Sequence, residues 1–366
     1  MSNIFFVFTP FQLYIAQQII HQEKLKNNIL LAGYIAGNSH FLEIYETMKI
    51  DGYWDKTIVF PNVPDWDFIP IRSYKDFKYI YNNYKQLKKI LEVNHAEIIY
   101  LGEMQNPSLR FTNIVFAKQG YKVAYFEEGY AHYVRRPYKK DLSFITKLKI
   151  WFRDTFYYLP IFHVRYAKWL YQRFRPYEEL PIYKRYSILP MYDKEYDVRL
   201  YPVPLFSKKV ECILDSDIDN SSSCKKVLLL TEPLEDIIST KHMGLYFDTI
   251  NESLSTLEKD TMVYIKFHPR DKRHNKEKTE QIIRDAGLQY KIISQQVNLP
   301  VEFYLQRFTF DKVYIFMSST FAYCGYMYPK CNFEKLLPTL NEKCKKAGIN
   351  KPAFEKMIKF MDNTLE

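Results

Sequence analysis

Short apolar runs alternate along this chain with longer stretches in which apolar positions recur every three or four residues. The first pair lies at the N-terminus. Ile4–Phe8 reads as a buried strand, Thr9-Pro10 ends it, and Leu13, Ala16, Ile19 and Ile20 then repeat at helical spacing. The same pattern predicts strands over Asn28–Ile35, Lys56–Phe60, Glu97–Leu101 and Tyr121–Phe126, with helices over His40–Lys49, Tyr74–Val93 and Pro107–Lys118. Pro176, Pro181, Pro190, Pro202 and Pro204 then break regular structure, and Asp215–Ser223 is polar and loop-like. Alternation resumes with predicted strands over Lys226–Leu230, Met262–Phe267, Tyr290–Ile293 and Lys312–Phe316. Helices are predicted over Lys241–Leu257, Lys276–Ala286, Pro300–Arg307 and Thr320–Met327, and residues 337–366 read as helices broken at Gly348 and Pro352. Strands alternating with helices build parallel, doubly wound sheets. The expectation is an α/β chain of two Rossmann-like domains, residues 1–195 and 196–366, facing a cleft in the plan known as GT-B.

One strand ends abruptly. Val263-Tyr-Ile-Lys-Phe stops at His268-Pro269-Arg270, because proline cannot extend a ladder and holds the preceding residue extended. In an open parallel sheet that end of a strand faces the ligand crevice. An imidazole followed by a guanidinium suits an anionic ligand, phosphate above all, although the segment reads equally as a capped strand with a surface histidine. Other predicted strand ends are polar too: Thr9 and Gln12, Glu103, Glu127-Glu128-Gly129, Thr231-Glu232 and Ser318-Ser319-Thr320. Together they point to a shared cleft. Adjacent carboxylates raise at least one pKa, which suits Glu127-Glu128 to general-base work on a sugar hydroxyl, against the plainer reading of a solvated acidic turn. Ser318-Ser319-Thr320, between a strand and a helix, is either a phosphate seat or an ordinary helix cap.

Composition narrows the classes. The 366 residues include 32 Tyr and 27 Phe but 10 Gly, which excludes a disordered or low-complexity chain. A net charge of +10 implies an anionic partner without choosing among nucleic acid, acidic glycan, nucleotide sugar and membrane surface. The five cysteines form no CxxC pair, so neither a disulfide framework nor a zinc site is indicated. The start lacks a basic n-region, and no apolar run approaches the ~20 residues of a membrane span. The expected location is the cytoplasm, with a peripheral position on the inner membrane as the alternative. GxGxxG and P-loop patterns are absent. Asp65-Trp-Asp67 and Asp215-Ser-Asp217 match the DxD of metal-dependent transferases, but both fall in predicted loops and follow no strand, so they read as solvated acids. The remaining histidines lack metal-ligand spacing; His132, past Gly129, reads as surface or cleft.

Residues 142–176 are basic and aromatic. Lys147, Lys149, Arg153, Arg165, Lys168, Arg173 and Arg175 interleave with Trp151, Phe152, Phe156 and Trp169, opposed only by Asp154. Three readings stay open: interdomain helices packed by their aromatics, a surface lying on an anionic inner membrane, and a site for a polyanion.

The motifs also occur in a familiar order. A strand running into Thr-Pro-x-Gln, then Phe-Glu-Glu-Gly, Phe-His-Pro-Arg, Leu-Pro-Val-Glu and Ser-Ser-Thr resembles the bacterial sialyltransferases of glycosyltransferase family 52, the lipooligosaccharide sialyltransferases, and the related capsular polysialyltransferases of family 38. The resemblance covers Ile4 to about Tyr328. It implies a GT-B enzyme that needs no metal or cofactor, takes CMP-sialic acid and inverts the anomeric centre. Residue by residue, it makes Glu128 the base with Glu127 beside it. His268, protonated, meets the CMP phosphate, and Ser318, Ser319 and Thr320 bind the same phosphate. Thr231, Pro233, Lys266, Pro269, Arg270, Pro300 and Glu302 belong to the donor side, and Thr9, Gln12, Glu103 and Gly129 to the acceptor side. In family 52 a carboxylate shortly after the first strand of the second domain is the base, and here Glu232, Glu235 and Asp236 stand there; Glu128 is favoured, with Glu235 and Asp236 second. The implied partner is a glycan acceptor of lipooligosaccharide, O-antigen or capsule, lipid-linked, with a homodimer as a further expectation and no nucleic acid. A different donor, CMP-Kdo or a UDP-hexose, is the alternative, and a non-catalytic nucleic-acid-binding protein the third reading.

Overall fold

In the computed structural model of the protein, residues 1–35, 40–63, 74–102, 114–127, 141–163, 165, 181–189, 194–219, 224–295 and 297–363 are described. They form two compact units, Met1–Ser207 and Lys208–Glu366. Each is a doubly wound parallel sheet carrying helices, the two-domain composition of the GT-B class.

The first sheet has seven strands: β1 (Ser2–Val7), β2 (Asn28–Ile35), β3 (Lys56–Val63), β4 (Ala96–Gly102), β5 (Lys122–Phe126), β6 (Lys184–Ser187) and β7 (Asp197–Arg199). Their order is β3-β2-β1-β4-β5-β6-β7, and every ladder is parallel. Ile4 pairs with Ile29 on one side and Ile99 on the other, which puts β1 in the sheet's interior. Both of its faces are covered, and Ile4, Phe5 and Val7 are fully buried. This is why β1 reads as an unbroken apolar run rather than an alternating one. One face holds a cluster that includes Ile4, Phe6, Leu31, Ile99, Leu101 and Tyr125. On the other, Phe5 stacks on Tyr100 with centroids 4.1 Å apart. The winding direction reverses between β1 and β4.

β6 and β7 escape the apolar pattern because they are short and polar. Arg185, in the middle of Lys-Arg-Tyr-Ser, is fully buried. Its Nε and Nη2 donate to the two carboxylate oxygens of Asp197 on β7 at 2.6 and 2.7 Å. Residues beyond β7 also belong to the first unit. Gln18 exchanges hydrogen bonds with the Val203 backbone at 2.9 and 3.0 Å, and Gln22 does so with Arg199 and Tyr201. The unit therefore ends at Ser207 rather than at the expected residue 195.

The second sheet contains β8 (Lys226–Leu230), β9 (Met262–Lys266), β10 (Gln289–Ile292), β11 (Lys312–Ile315) and β12 (Phe333–Lys335), in the order β10-β9-β8-β11-β12. All ladders are parallel. Helices Met243–Ser255, Arg273–Asp285, Val301–Arg307, Leu337–Lys346 and Pro352–Asn363 follow or flank them. Here the winding reverses between β8 and β11. The segment expected to be a loop at Asp215 is instead the last turn of a helix, Lys208–Asp217. The helix expected over Thr320–Met327 is a 3-10 helix, Ser319–Tyr323, followed by one α turn, Cys324–Met327. Among the described residues no helix is long and apolar enough to cross a membrane.

Candidate functional site

Three separate stretches of the second unit meet at the C-terminal ends of β8, β9 and β11. The first is the turn after β9. The Asp271 N–H donates to the His268 carbonyl at 2.9 Å, closing the turn over Pro269 and Arg270. The His268 N–H donates to the Thr231 hydroxyl at 3.0 Å and to the Asp271 carboxylate at 2.9 Å. Thr231 also donates to that carboxylate. The His-Pro-Arg turn is thus pinned to the end of β8 by Thr231 and Asp271.

The second and third stretches are joined by a carboxylate. Pro300 stands at the N-cap of Val301–Arg307, which carries Glu302, 7% exposed, under the end of β11. Glu302 Oε1 accepts from the Thr320 hydroxyl at 3.0 Å. Lys266, at the end of β9, donates to Asn298 Oδ1 at 2.9 Å, and its charge acts on Glu302. Tyr328 donates to the Thr320 carbonyl at 2.9 Å. Phe-His-Pro-Arg, Leu-Pro-Val-Glu and Ser-Ser-Thr, far apart in the chain, therefore share one crevice edge beside the β8–β11 reversal, where a doubly wound sheet receives ligands.

Electrostatics shapes this edge. Burial, with Arg270 and Lys266 nearby, pushes the His268 imidazole down to about 4. The Arg270 N–H donates to His268 Nδ1 at 3.1 Å, so the ring is neutral with its proton on Nε2. Where a protonated imidazole was expected, the ring presents a neutral Nε2–H donor. Burial also lowers the Lys266 ammonium to about 8, against the pull of Glu302 and Asp217. It raises the Glu302 and Asp271 carboxyls. Glu232 rises to about 8 through burial and the nearby Asp271 charge, so it holds a proton at neutral pH. Its N–H donates to the Tyr246 hydroxyl at 3.3 Å. Pro233, partly buried, follows it.

Other expected residues have different employment. Ser318 Oγ accepts the Thr320 N–H at 3.3 Å, which is the helix-capping role. Ser319 opens the 3-10 helix. Glu235 is held by Lys272 at 2.9 Å and Thr240 at 2.7 Å, and those hydrogen bonds bring its carboxyl down to about 2. A carboxylate so tied is a poor proton acceptor. The Asp236 side chain lies outside the described residues. Asp217 accepts from the Ser294 N–H at 2.9 Å and from Tyr304, and Asp215 pairs with Arg307 at 3.0 Å, so this DxD lies on a helix rather than in a loop, and of the two only the exposed Asp215 is solvated as expected. Asp65, Asp67 and His132 lie outside the described residues.

In the first unit, Thr9 caps the helix Pro10–Glu23, its hydroxyl accepting the Gln12 N–H at 3.2 Å. Gln12 is 1% exposed, and its Oε1 accepts the Phe8 N–H at 2.6 Å. It fills the space above Gly102 at the β1–β4 reversal, where an added Cβ would come within 2.5 Å of its amide carbon. Glu127 is fully buried, with Oε2 accepting the Ile188 N–H at 2.7 Å. Expected beside the base, it instead fastens the end of β5 to the segment after β6. Glu103, Glu128 and Gly129 lie outside the described residues.

Sequence reading missed Asp271 and Asn298. Asp271 directly follows the His-Pro-Arg turn and Asn298 precedes Leu-Pro, and both are polar residues of types that brace turns. That was the available signal.

The model of the family described as alpha-2,8-polysialyltransferase matches residues 3–333. A search of curated proteins gives no match. Among solved structures, the UDP-GlcNAc 2-epimerase of Methanocaldococcus jannaschii is similar at 12% identity and a TM-score of 0.47, covering 98% of this chain and 90% of that one. The spinosyn rhamnosyltransferase SpnG is similar at 8% identity and a TM-score of 0.43, covering 86% and 75%. A glycosyltransferase from Rickettsia africae is similar at 10% identity and a TM-score of 0.40, covering 87% and 76%.

Proposed function

Because this chain belongs to the alpha-2,8-polysialyltransferase family, we propose that it is an inverting sialyltransferase that moves sialic acid from CMP-sialic acid to a hydroxyl of a cell-surface glycan, without metal or cofactor. The observation that carries this reading is the meeting of Lys266, His268, Thr231, Glu302 and Thr320 at one edge of the second sheet. A cytidine monophosphate leaving group suits that edge. The acceptor oxygen bonds to the anomeric carbon, the bond from that carbon to the phosphate oxygen breaks, and the electron pair leaves with CMP. The Nε2–H of His268 donates to the departing phosphate, while Arg270 and Lys266 supply positive charge to it. The acceptor proton goes to a carboxylate, which the sequence resemblance assigns to Glu128. The family description favours a 2,8 linkage, and the sequence resemblance adds a capsule or lipooligosaccharide chain as the acceptor.

Thermal stabilisation by CMP, UDP and GDP tests the donor, and slow hydrolysis of CMP-sialic acid by the purified protein tests the chemistry. CMP is expected to stabilise most, and His268→Ala and Glu128→Gln to abolish transfer with the fold intact. Wild-type transfer by both variants would sink the reading. Stabilisation by UDP alone would move the donor to a UDP-hexose, and tight, steeply salt-dependent RNA binding with no nucleotide response would favour a non-catalytic role.

A further inference from the structure

The helix Phe144–Arg153 and the π turn Asp154–Tyr158 that continues it have apolar residues on two sides. One side is used. Tyr158 and, beyond it, Phe162 are in the core of the first unit, with Ile150 and Tyr157 packed against it. The other side is not buried: Phe144, Ile145, Leu148, Trp151, Phe152 and Phe156 are 48–79% exposed. Their spacing puts the first five on one stripe of an α-helix. The wider π turn then keeps Phe156 with them, its ring 4.7 Å from Phe152 and 6.1 Å from Trp151.

Charge selects what covers this stripe. Lys147 and Lys149 are exposed beside it, while Asp154, the acid within the helix and turn, is buried. At the foot of the stripe a cavity of about 370 Å³ has Lys147, Trp151, Asp154 and Arg165 in its wall, two cations against one acid. The occupant must therefore offer an apolar phase and negative charge together. A polyanionic glycan offers only the charge, and a second copy of this face would bring like charges into contact. A bilayer of anionic phospholipid offers both, and an aromatic stripe flanked by lysines is the pattern that lies in the plane of a membrane interface.

We propose that the stretch Phe144–Phe156 docks the protein on an anionic phospholipid surface, with the six apolar side chains entering the headgroup and acyl boundary and Lys147, Lys149 and Arg165 among the phosphates. This stands apart from the donor assignment, since these residues belong to the first unit and the donor-side residues to the second.

Flotation of the full chain with vesicles tests it, comparing phosphatidylglycerol mixed with phosphatidylethanolamine against phosphatidylcholine alone. The chain is expected to float with the anionic vesicles and to remain below with phosphatidylcholine. Trp151→Glu/Phe152→Glu should weaken partition by roughly tenfold or more, with the thermal melt unchanged because both side chains are exposed. Lys147→Gln/Lys149→Gln should weaken it by about thirtyfold and reduce its salt sensitivity. Three results would overturn the proposal: no flotation of the wild-type chain, undiminished flotation of the Trp151→Glu/Phe152→Glu variant, or a dimer without vesicles that this variant abolishes, which would give the face to a second copy.

Discussion

The hydroxyl of Thr320 donates to the carboxylate of Glu302 across 3.0 Å, in the interior of the second unit. The bond joins the segment after β11 to the helix Val301–Arg307, and the charge of Lys266 from the end of β9 acts on the same carboxylate. Three strand-end segments thus keep their mutual position through one buried acid. A group so placed sets the geometry of the crevice edge from a largely buried position.

Glu302→Ala removes the acceptor of Thr320 and the counter-charge of Lys266. The expected loss of stability is about 1–3 kcal/mol, read by urea denaturation. CMP-induced thermal stabilisation should fall as well, whereas Glu302→Gln, which preserves the shape and one acceptor, should retain part of both.

His268 has an ordinary value of 6.5 and about 4 in the folded protein. Between those values the unfolded chain binds a proton that the folded protein does not, so this residue makes stability fall as pH falls through that window. His268→Asn should flatten that part of the stability curve. A bound phosphate offsets the charges of Arg270 and Lys266, so His268 should take up protons when CMP binds near pH 5, against those released by the phosphate itself. Calorimetry in two buffers of different ionisation enthalpy measures the net change, which His268→Asn should shift towards release.

Glu232 runs the other way. Its carboxyl has an ordinary value of 4.5 and about 8 in the fold, so between these the folded protein keeps a proton that the unfolded chain has released. Stability contributed by the neutral form is therefore lost as pH rises across that interval. Glu232→Gln should be more stable than the wild type at pH 8, by about 1 kcal/mol or more, with the advantage shrinking towards pH 4.5. Melting curves across that range check it.

Asp197 is the partner that makes a buried Arg185 tolerable. Asp197→Ala strands a guanidinium inside the first unit, and the expected cost is about 3–5 kcal/mol. Replacing both residues, Arg185→Met with Asp197→Leu, should cost less than the single change. Denaturant unfolding of the two variants separates lost packing from a stranded charge.

The strands that carry the site were legible in the chain because they are buried on both faces. Leu228, Leu229, Val263, Ile265, Val313 and Ile315 leave no polar alternation to confuse them. β6 and β7 were not legible, since Arg185 becomes compatible with a sheet interior only when Asp197 stands opposite. The boundary between the units was misplaced for the same reason: Gln18 and Gln22 hold residues 199–203 through backbone bonds that no pattern of apolar positions records.

At the site, local sequence determined the punctuation. A proline after His268 ends β9 wherever the strand lies, and a serine before Thr320 caps the turn that follows β11, because both effects act within a few residues. From these, two doubly wound domains and a set of polar strand ends follow. Only the tertiary structure decided what each polar group does. It left the imidazole of His268 neutral by bringing burial, Arg270 and Lys266 together, gave Glu127 to the Ile188 backbone, tied Glu235 to Lys272, and set Glu302 beneath Thr320. Protonation and hydrogen bonding depend on solvent exclusion and on neighbours distant in the chain, and neither is written in the order of the residues.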